Sequence, residues 1–217
     1  MTAAVLTPPD LADWSLLSLR AAVKPVVDDA LADTGIDRLI VQAEGPRADA
    51  FLGAVVARLM TLERLDVEVA YVTDGPTVAT GVYRLPTGPA AAELARTGLA
   101  REFPLIRDDA ASVLVGRARH VGADGGPLSG ECYLDDLRLF DGEVAAVEIE
   151  PLPHLPGLRG RVPRRVIGRR WTSGRAVQTG GPAVFVEREG VLTPRAAPRS
   201  TFYPHHVPWR LVVPTTS

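Results

Sequence analysis

The stretch RLIVQAEGPRADAFLGAVV, residues 38–56, reads as an apolar strand, a short turn with one glycine and one proline, and an amphipathic helix. Apolar side chains at helical spacing define one face of this helix: Phe51, Leu52, Val55, Val56 and Leu59. A strand that enters a helix through a glycine turn often holds a nucleotide phosphate, because N–H groups at the helix start point toward the ligand. The stretch therefore predicts an α/β layer and a turn to be tested as a phosphate site.

The residues on either side of this stretch extend the α/β pattern. A helix is predicted with Asp13 as its N-cap and with a break at Pro25, so the chain is expected to open with a helix. Beyond the central stretch, two strands and a further helix are predicted in DVEVAYVTD (66–74), GVYRL (81–85) and PAAAELARTG (89–98). Alternating strands and helices predict a partly parallel sheet flanked by helices.

From about Arg107 the sequence changes to short, alternating apolar runs separated by Gly, Asp and Pro, which is typical of an all-β domain. LFDGEVAAV (139–147) predicts a hairpin with its turn at Asp141-Gly142, since this dipeptide suits a two-residue turn with positive φ. We therefore predict an α+β fold. Residues 1–107 form an α/β layer with a partly parallel sheet, and residues 108–217 form a β-sandwich-like domain. The last strand of the chain could instead join the sheet of the first domain.

Composition narrows the class of protein. The 217 residues are 46% hydrophobic, enough for one or two packed cores, and only 6% aromatic, which is low for a protein that stacks nucleic-acid bases. Cys132 is the single cysteine and the four histidines form no ligand motif, so no disulfide and no metal site are predicted. Without a recognisable signal peptide or membrane span, a cytoplasmic protein with no specific nucleic-acid partner is predicted.

Charge is distributed unevenly along the chain. Residues 151–217 carry eleven arginines, no lysine and two acidic residues, whereas residues 1–150 carry 13 basic and 24 acidic residues. Within the segment 158–175 the candidates for anion binding are Arg164, Arg165, Arg169 and Arg170. This segment is predicted either to pack against acidic residues of its own chain or of a second copy, giving a homo-oligomer, or to bind an anionic ligand, a lipid surface or a protein partner.

Several short motifs, in a fixed order, resemble those of the diacylglycerol kinase family and its relatives among bacterial lipid kinases and NAD kinases. Leu85, Pro86 and Gly88 match the start of the family's Leu-Pro-x-Gly-Thr-x-Asn motif, Glu189-Gly190 falls at its late Asp-Gly-Glu motif, and Leu211–Pro214 resembles its closing strand. The resemblance implies an NAD kinase-like fold, with Mg-ATP as cofactor in active members. Its implied nucleotide-binding residues are Glu44, Gly45, Arg47, Thr87 and Gly88.

The chain departs from the family pattern where phosphate chemistry takes place. The family's Gly-Gly-Asp-Gly-Thr turn is replaced by AEGPR (43–47), in which Pro46 has no N–H to donate. Glu44 would repel a phosphate unless Mg²⁺ lay between them. Pro89 replaces the threonine of the second motif, and Val191 replaces the glutamate that acts as general base in the family.

The sequence therefore predicts a lipid-kinase-like protein that has lost phosphotransfer and acts as a binding or interaction module. Two alternatives stay open. One is a working ATP-dependent lipid kinase of the diacylglycerol type, in which Glu189 accepts the proton and Glu44 holds the metal. The other is a hydrolase whose catalytic triad is scattered along the sequence.

Overall fold

The computed structural model describes residues 2–163 and 170–215, which form two compact units. Unit 1 contains the residues up to Phe103 and those from Val207 onward, and unit 2 contains residues 104–206. The helices and strands of unit 1 are β1 (Thr2–Leu6), α1 (Leu16–Ala32), β2 (Ile36–Gln42), α2 (Ala48–Thr61), β3 (Glu68–Val72), α3 (Val78–Tyr83), α4 (Pro89–Thr97), β4 (Leu99–Phe103) and, at the end of the chain, β16 (Trp209–Val213).

Unit 1 is built on one five-stranded sheet with the strand order β1-β2-β3-β16-β4. The first four strands are parallel to their neighbours, and β4 runs antiparallel to β16. The last strand of the chain thus belongs to the sheet that the first strands form. Because β2 and β3 are parallel neighbours, the loops that follow them leave the sheet at the same edge.

Two helices of this unit differ in how they are buried. Helix α2 is buried on nearly all sides and not on one face as the sequence predicts, because apolar residues also occupy the positions outside the predicted face. Helix α4 presents Ala91 and Ala95, one turn apart, to Ala70, Val72 and Val212 of the sheet. These small side chains allow α4 to lie close to the strands.

Four local predictions for this unit are wrong. The chain opens with a strand, β1, that pairs with β2. The N-cap of α1 is Ser15 and not Asp13, because the Ser15 side chain accepts the N–H of Ser18. Helix α1 continues through Pro25, because Leu19, Val23 and Val27 share one buried face whose packing outweighs the lost hydrogen bond. The segment Val78–Tyr83 is a helix, since Thr77 and Thr80 form a reciprocal capping box at its start.

Unit 2 consists of strands joined in one eleven-stranded antiparallel sheet, in which β13 pairs with four neighbours. The core of the unit is aliphatic apart from Phe140, Phe202 and Cys132. The strands are β5 (Ile106–Asp108), β6 (Val113–Leu114), β7 (Ala118–Val121), β8 (Leu128–Leu134), β9 (Leu137–Val144), β10 (Val147–Pro151), β11 (Leu158–Arg161), β12 (Thr172–Gly174), β13 (Val177–Arg188), β14 (Val191–Leu192) and β15 (Ala197–Pro204).

The predicted turn at Asp141-Gly142 is wrong. Both residues lie inside β9, where Asp141 pairs with Glu131 and Gly142 pairs with Gly130 of β8. Gly142 has a φ of 111° and Gly130 a φ of 144°, conformations that favour glycine, and the register shift of this ladder lies between Cys132 and Tyr133. The turn between β8 and β9 lies at Asp135, whose φ is 50°.

The predicted fold class is confirmed, since an α/β layer with a partly parallel sheet precedes a large antiparallel, β-rich part. Among the described residues, no helix has the length and apolar character needed to cross a bilayer.

Candidate functional site

The loop after β2 carries the residues that the sequence assigns to nucleotide binding. The N–H of Ala43 donates to the carbonyl of Val72 at 3.0 Å, so the loop stays attached to β3 as it leaves the sheet. Gly45 begins a single 3₁₀ turn at a φ of 75°, a conformation that favours glycine. Pro46 and Arg47 complete the turn, and Arg47 precedes α2 directly.

The loop after β3 meets the start of α4 at the same edge of the sheet. The N–H of Gly88 donates to the carbonyl of Thr73 at 2.8 Å. Gly88, at a φ of 61°, is the N-cap of α4, and Thr87 precedes it, partly exposed. The structure therefore brings the Glu44–Arg47 turn and the Thr87–Gly88 segment together around the end of β3.

Glu44 and Asp74 form a carboxyl pair at this edge. The Glu44 side chain is exposed, and its pKa is raised above the ordinary value of 4.5 by a hydrogen bond with Asp74 first and by the negative charge of Asp74 second. Asp74 was missed by sequence reasoning. The sequence feature that could have identified Asp74 is its position directly after a predicted strand of the parallel sheet, where such sheets usually carry their functional groups.

A buried carboxylate fixes the loop that carries Asp74. Asp49, in the first turn of α2, accepts a hydrogen bond from the Tyr71 hydroxyl at 2.9 Å and one from the N–H of Ala79 at 3.1 Å. Tyr71 lies in β3 and Ala79 in α3, so Asp49 holds both ends of the loop between them. The position of the Glu44–Asp74 pair is thus set by buried contacts.

This arrangement is an unfavourable binding site for a bare phosphate and a chemically suitable one for a cation. The N–H of Gly88 already has a partner, Pro46 has no N–H, and the carboxyl groups of Glu44 and Asp74 lie close to each other. Carboxylate oxygens are the ligands that Mg²⁺ prefers. Within residues 2–163 and 170–215, however, no three acidic, His or Cys side chains come together as a metal-binding group.

Replacing Asp74 by asparagine is expected to raise the thermal unfolding midpoint at about pH 7 by no more than a few degrees. A carboxyl group with a raised pKa favours the folded state below its unfolded pKa, and that contribution is lost as the pH rises through the raised value. At neutral pH the pair repels, and the asparagine removes one charge. Scanning calorimetry should show the gain shrinking toward about pH 4. The matched control Asp29→Asn, at an exposed site on α1, should show no such pH-dependent rise in the unfolding midpoint. An equal rise in both variants would contradict repulsion between Glu44 and Asp74.

Glu189, the predicted proton acceptor of an active kinase, lies in unit 2 at the turn between β13 and β14. One carboxylate oxygen accepts the N–H groups of Val115 and Gly116 at 2.9 and 2.8 Å, and the other accepts that of Arg117 at 3.0 Å. The side chain is buried. These contacts anchor the loop before β7, and accepting a proton would weaken them; the catalytic role of Glu189 stays a prediction.

The arginine-rich segment 158–175 is described in part. Arg164, Arg165 and Arg169 lie outside the described residues, and Arg170 is exposed. Arg159 and Arg161 form ion pairs with Glu150 at 2.5 Å and with Glu148 at 2.7 Å, and their guanidinium carbons lie 4.6 and 4.3 Å from the ring centroid of Trp171. These two arginines therefore pair within their own chain, whereas anion binding by the other four stays a prediction.

A Ser–His contact exists in unit 2 but is buried. The imidazole of His120 lies 2.7 Å from Thr179 Oγ1 and 3.1 Å from Ser200 Oγ, and all three side chains are almost fully inaccessible. A nucleophile must reach its substrate, so this contact gives the hydrolase alternative no support.

Known proteins resemble this chain in structure but not in sequence. No protein-family model and no curated protein matches the sequence. Among solved structures, the NAD kinase of Archaeoglobus fulgidus in complex with ATP is similar with a TM-score of 0.60 and 13% identity, over 98% of this chain and 93% of that chain. This chain has an NAD kinase-like fold.

A second solved structure supports the same NAD kinase-like fold. Yeast NADH kinase complexed with NADH is similar with a TM-score of 0.52 and 10% identity, over 82% of this chain and 62% of that chain. The NAD kinase-like fold that the sequence resemblance implies is therefore confirmed. The narrower resemblance to diacylglycerol kinases stays a prediction.

Proposed function

We propose that this protein is an NAD kinase-like scaffold that does not transfer phosphate and acts as a binding or interaction module. The observation that carries the proposal is the Glu44–Asp74 carboxyl pair at the edge of the parallel sheet. An ionised carboxylate repels nearby phosphate oxygens, so the pair opposes the approach of a polyphosphate.

The backbone around the pair adds to this argument. A phosphate cradle works through several N–H groups that point at the ligand. Here Pro46 has none, and the N–H of Gly88 donates to Thr73. The loop therefore lacks two of the donors that would offset the repulsion by the carboxyl groups.

Millimolar Mg-ATP is expected to leave the thermal unfolding midpoint of the protein unchanged. A ligand that binds only the folded state stabilises it by about 2.7 kcal/mol at a hundred times its dissociation constant, which is easily measured. Differential scanning fluorimetry with Mg-ATP, with Mg²⁺ alone and with ATP plus a chelator separates nucleotide binding from metal binding. Stabilisation by Mg-ATP would contradict the proposal.

The double variant Glu44→Gln, Asp74→Asn keeps the loop and removes its charges. If the carboxyl pair is what excludes nucleotide, this variant should gain a measurable response to ATP without magnesium. The native chain serves as the reference, and Asp29→Asn serves as the control for a change of net charge elsewhere. If the double variant still does not respond to ATP, the backbone of the loop and not the carboxyl pair prevents nucleotide binding.

A working ATP-dependent kinase is the second candidate, and the same carboxyl pair favours it in one respect. Two carboxyl groups on neighbouring strand ends offer the ligand type that Mg²⁺ prefers, and magnesium would turn their repulsion of ATP into attraction. In that case Mg-ATP stabilises the native chain, and Asp74→Asn abolishes the effect. Phosphotransfer from labelled ATP to diacylglycerol or to NAD would then identify the class of acceptor.

A further inference from the structure

A cluster of cationic side chains in unit 2 is formed by one residue of β5 and two residues that follow β15. Arg107 of β5 pairs with Tyr203 of β15, and its guanidinium carbon lies 5.6 Å from the centroid of the Tyr203 ring. His205 comes directly after the end of β15, and its backbone N–H donates to the carbonyl of Leu105 at 2.7 Å. The rings of His205 and His206 are 4.2 Å apart between centroids. Both histidines and Arg107 are at least partly exposed.

In the part of the chain that the structure describes, no carboxylate forms an ion pair with this cluster. The side chain of Arg107 donates from Nε to the backbone carbonyl of Asp108 at 3.2 Å. The carboxylate of Asp108 is buried and bound to Arg188 and to the N–H of Ser112. It therefore does not neutralise Arg107.

Other arginines on the same sheet show the opposite arrangement. Arg117 and Arg159 flank Glu150, Arg161 pairs with Glu148, and Arg119 pairs with Glu187. Ion pairs across neighbouring strands are thus the rule on that face. The Arg107 cluster instead keeps its cationic groups next to one another.

The cationic groups of the cluster repel each other. The pKa of His205 is lowered, first by partial burial and then by the positive charges of His206 and Arg107. A bound anion would reverse this electrostatic balance, because it would interact favourably with all three groups at once.

We propose that Arg107, His205 and His206 form a binding site for the phosphate group of a phosphomonoester. A guanidinium offers two parallel N–H donors that match two phosphate oxygens, and each protonated imidazole adds a charged donor. A phosphomonoester carries between one and two negative charges near neutral pH, which suits a site with one permanent and two titratable positive charges better than a carboxylate does. The site shares no residue with the carboxyl pair, so the proposal does not rest on the proposed function.

The test is a titration with inorganic phosphate, followed by NMR signals of the histidine rings. Phosphate should shift the ring signals of His205 and His206 and raise the lowered pKa of His205, because the bound anion favours the protonated imidazole. The ring signals of His154, which is exposed in another loop, should stay in place. Signals of His205 and His206 that do not move would overturn the proposal.

Variants identify the groups that bind phosphate. Arg107→Gln is expected to weaken phosphate binding about tenfold, the loss that follows from removing one charge-assisted contact. Arg138→Gln is the matched control, because Arg138 is an exposed arginine of the same unit and is paired with Asp141. Circular dichroism checks that both variants fold. Equal affinity in Arg107→Gln and the control would overturn the proposal, and an effect of the same size in His205→Gln and His206→Gln would support it.

The source of the phosphate group is decided by two further titrations. Glycerol phosphate represents a soluble phosphomonoester, and vesicles of phosphatidylcholine doped with phosphatidic acid represent a lipid headgroup. Binding of glycerol phosphate that Arg107→Gln weakens supports a soluble ligand. Binding to the doped vesicles alone, lost in Arg107→Gln and absent with pure phosphatidylcholine, supports the headgroup. Failure of both, in a protein that also ignores inorganic phosphate, rejects the site while leaving the Mg-ATP result unaffected.

Discussion

Replacing Arg38 by methionine is expected to lower the free energy of unfolding of unit 1 by about 3–5 kcal/mol, the range measured when one partner of a buried ion pair is removed. Arg38 lies in β2 and is only 2% exposed. Its guanidinium contacts Glu68 on the next strand through Nε at 3.0 Å and through Nη2 at 2.6 Å. The same group donates to the carbonyls of Ala95 at 2.7 Å and Gly98 at 2.8 Å.

The two carbonyls explain why the loss should be large. They belong to the last turn of α4, where carbonyls have no partner within the helix and where a positive charge is favourable. Arg38 therefore joins α4 to the sheet with the same group that neutralises Glu68. Methionine fills the volume but leaves both carbonyls and part of the Glu68 carboxylate without a donor, and each buried group left unpaired costs about 1–3 kcal/mol.

Arg210→Met provides the matched control for this experiment. Arg210 pairs with the same carboxylate at 3.0 Å, but its side chain is 40% exposed, and such pairs contribute about 0–1 kcal/mol. Urea unfolding combined with hydrogen exchange of β2 and α4 amides reports on unit 1 separately. Similar losses for Arg38→Met and Arg210→Met would show that burial of the guanidinium does not matter. Protection should fall first in α4, since its carbonyls lose their donors.

Local patterns in the sequence predicted the architecture well where each element could be recognised from its own residues. The strand at the opening stretch and helix α2 follow from apolar spacing alone. The prediction failed at Pro25 and at Val78–Tyr83, because packing of α1 and the capping box at Thr77 outweigh local propensity. It failed at Asp141-Gly142 because strand register depends on the partner strand.

The candidate site was predictable only in part for a related reason. Glu44, Gly45 and Gly88 lie in loops that the motifs mark, and the structure brings their segments together. Asp74 carries no motif, and its role depends on the parallel pairing of β2 with β3. Glu189 shows more clearly what a sequence motif does not predict, since its three N–H partners lie more than seventy residues earlier in the sequence. Contacts of this kind arise from the tertiary fold, so a motif match alone does not separate an anchor from a catalytic group.

Acidification is expected to destabilise unit 2 through His120, by about 3 kcal/mol between about pH 6.5 and pH 4. His120 is fully buried among Thr179, Ser200 and the ring of Phe202, and its pKa is lowered to about 3 by burial first and by the charge of Arg188 second. The folded state therefore keeps the imidazole neutral, while the unfolded chain binds a proton at its ordinary pKa of 6.5. The stability is fully present above about pH 6.5 and is lost as the pH falls toward the folded value.

The charged groups near His120 do not reverse this sign. Arg188 opposes protonation, and the carboxylate of Asp108, which would favour it, is already bound to Arg188. His120→Gln retains a donor and an acceptor for Thr179 and Ser200 but has no titratable ring. The slope of its free energy of unfolding against pH should therefore be smaller than that of the native protein by the contribution of one proton, about 1.4 kcal/mol per pH unit. The carboxyl groups are the same in both proteins, so the difference between the native and His120→Gln curves isolates the imidazole. Parallel curves would contradict the prediction, because they would mean that His120 binds its proton in the folded state as well.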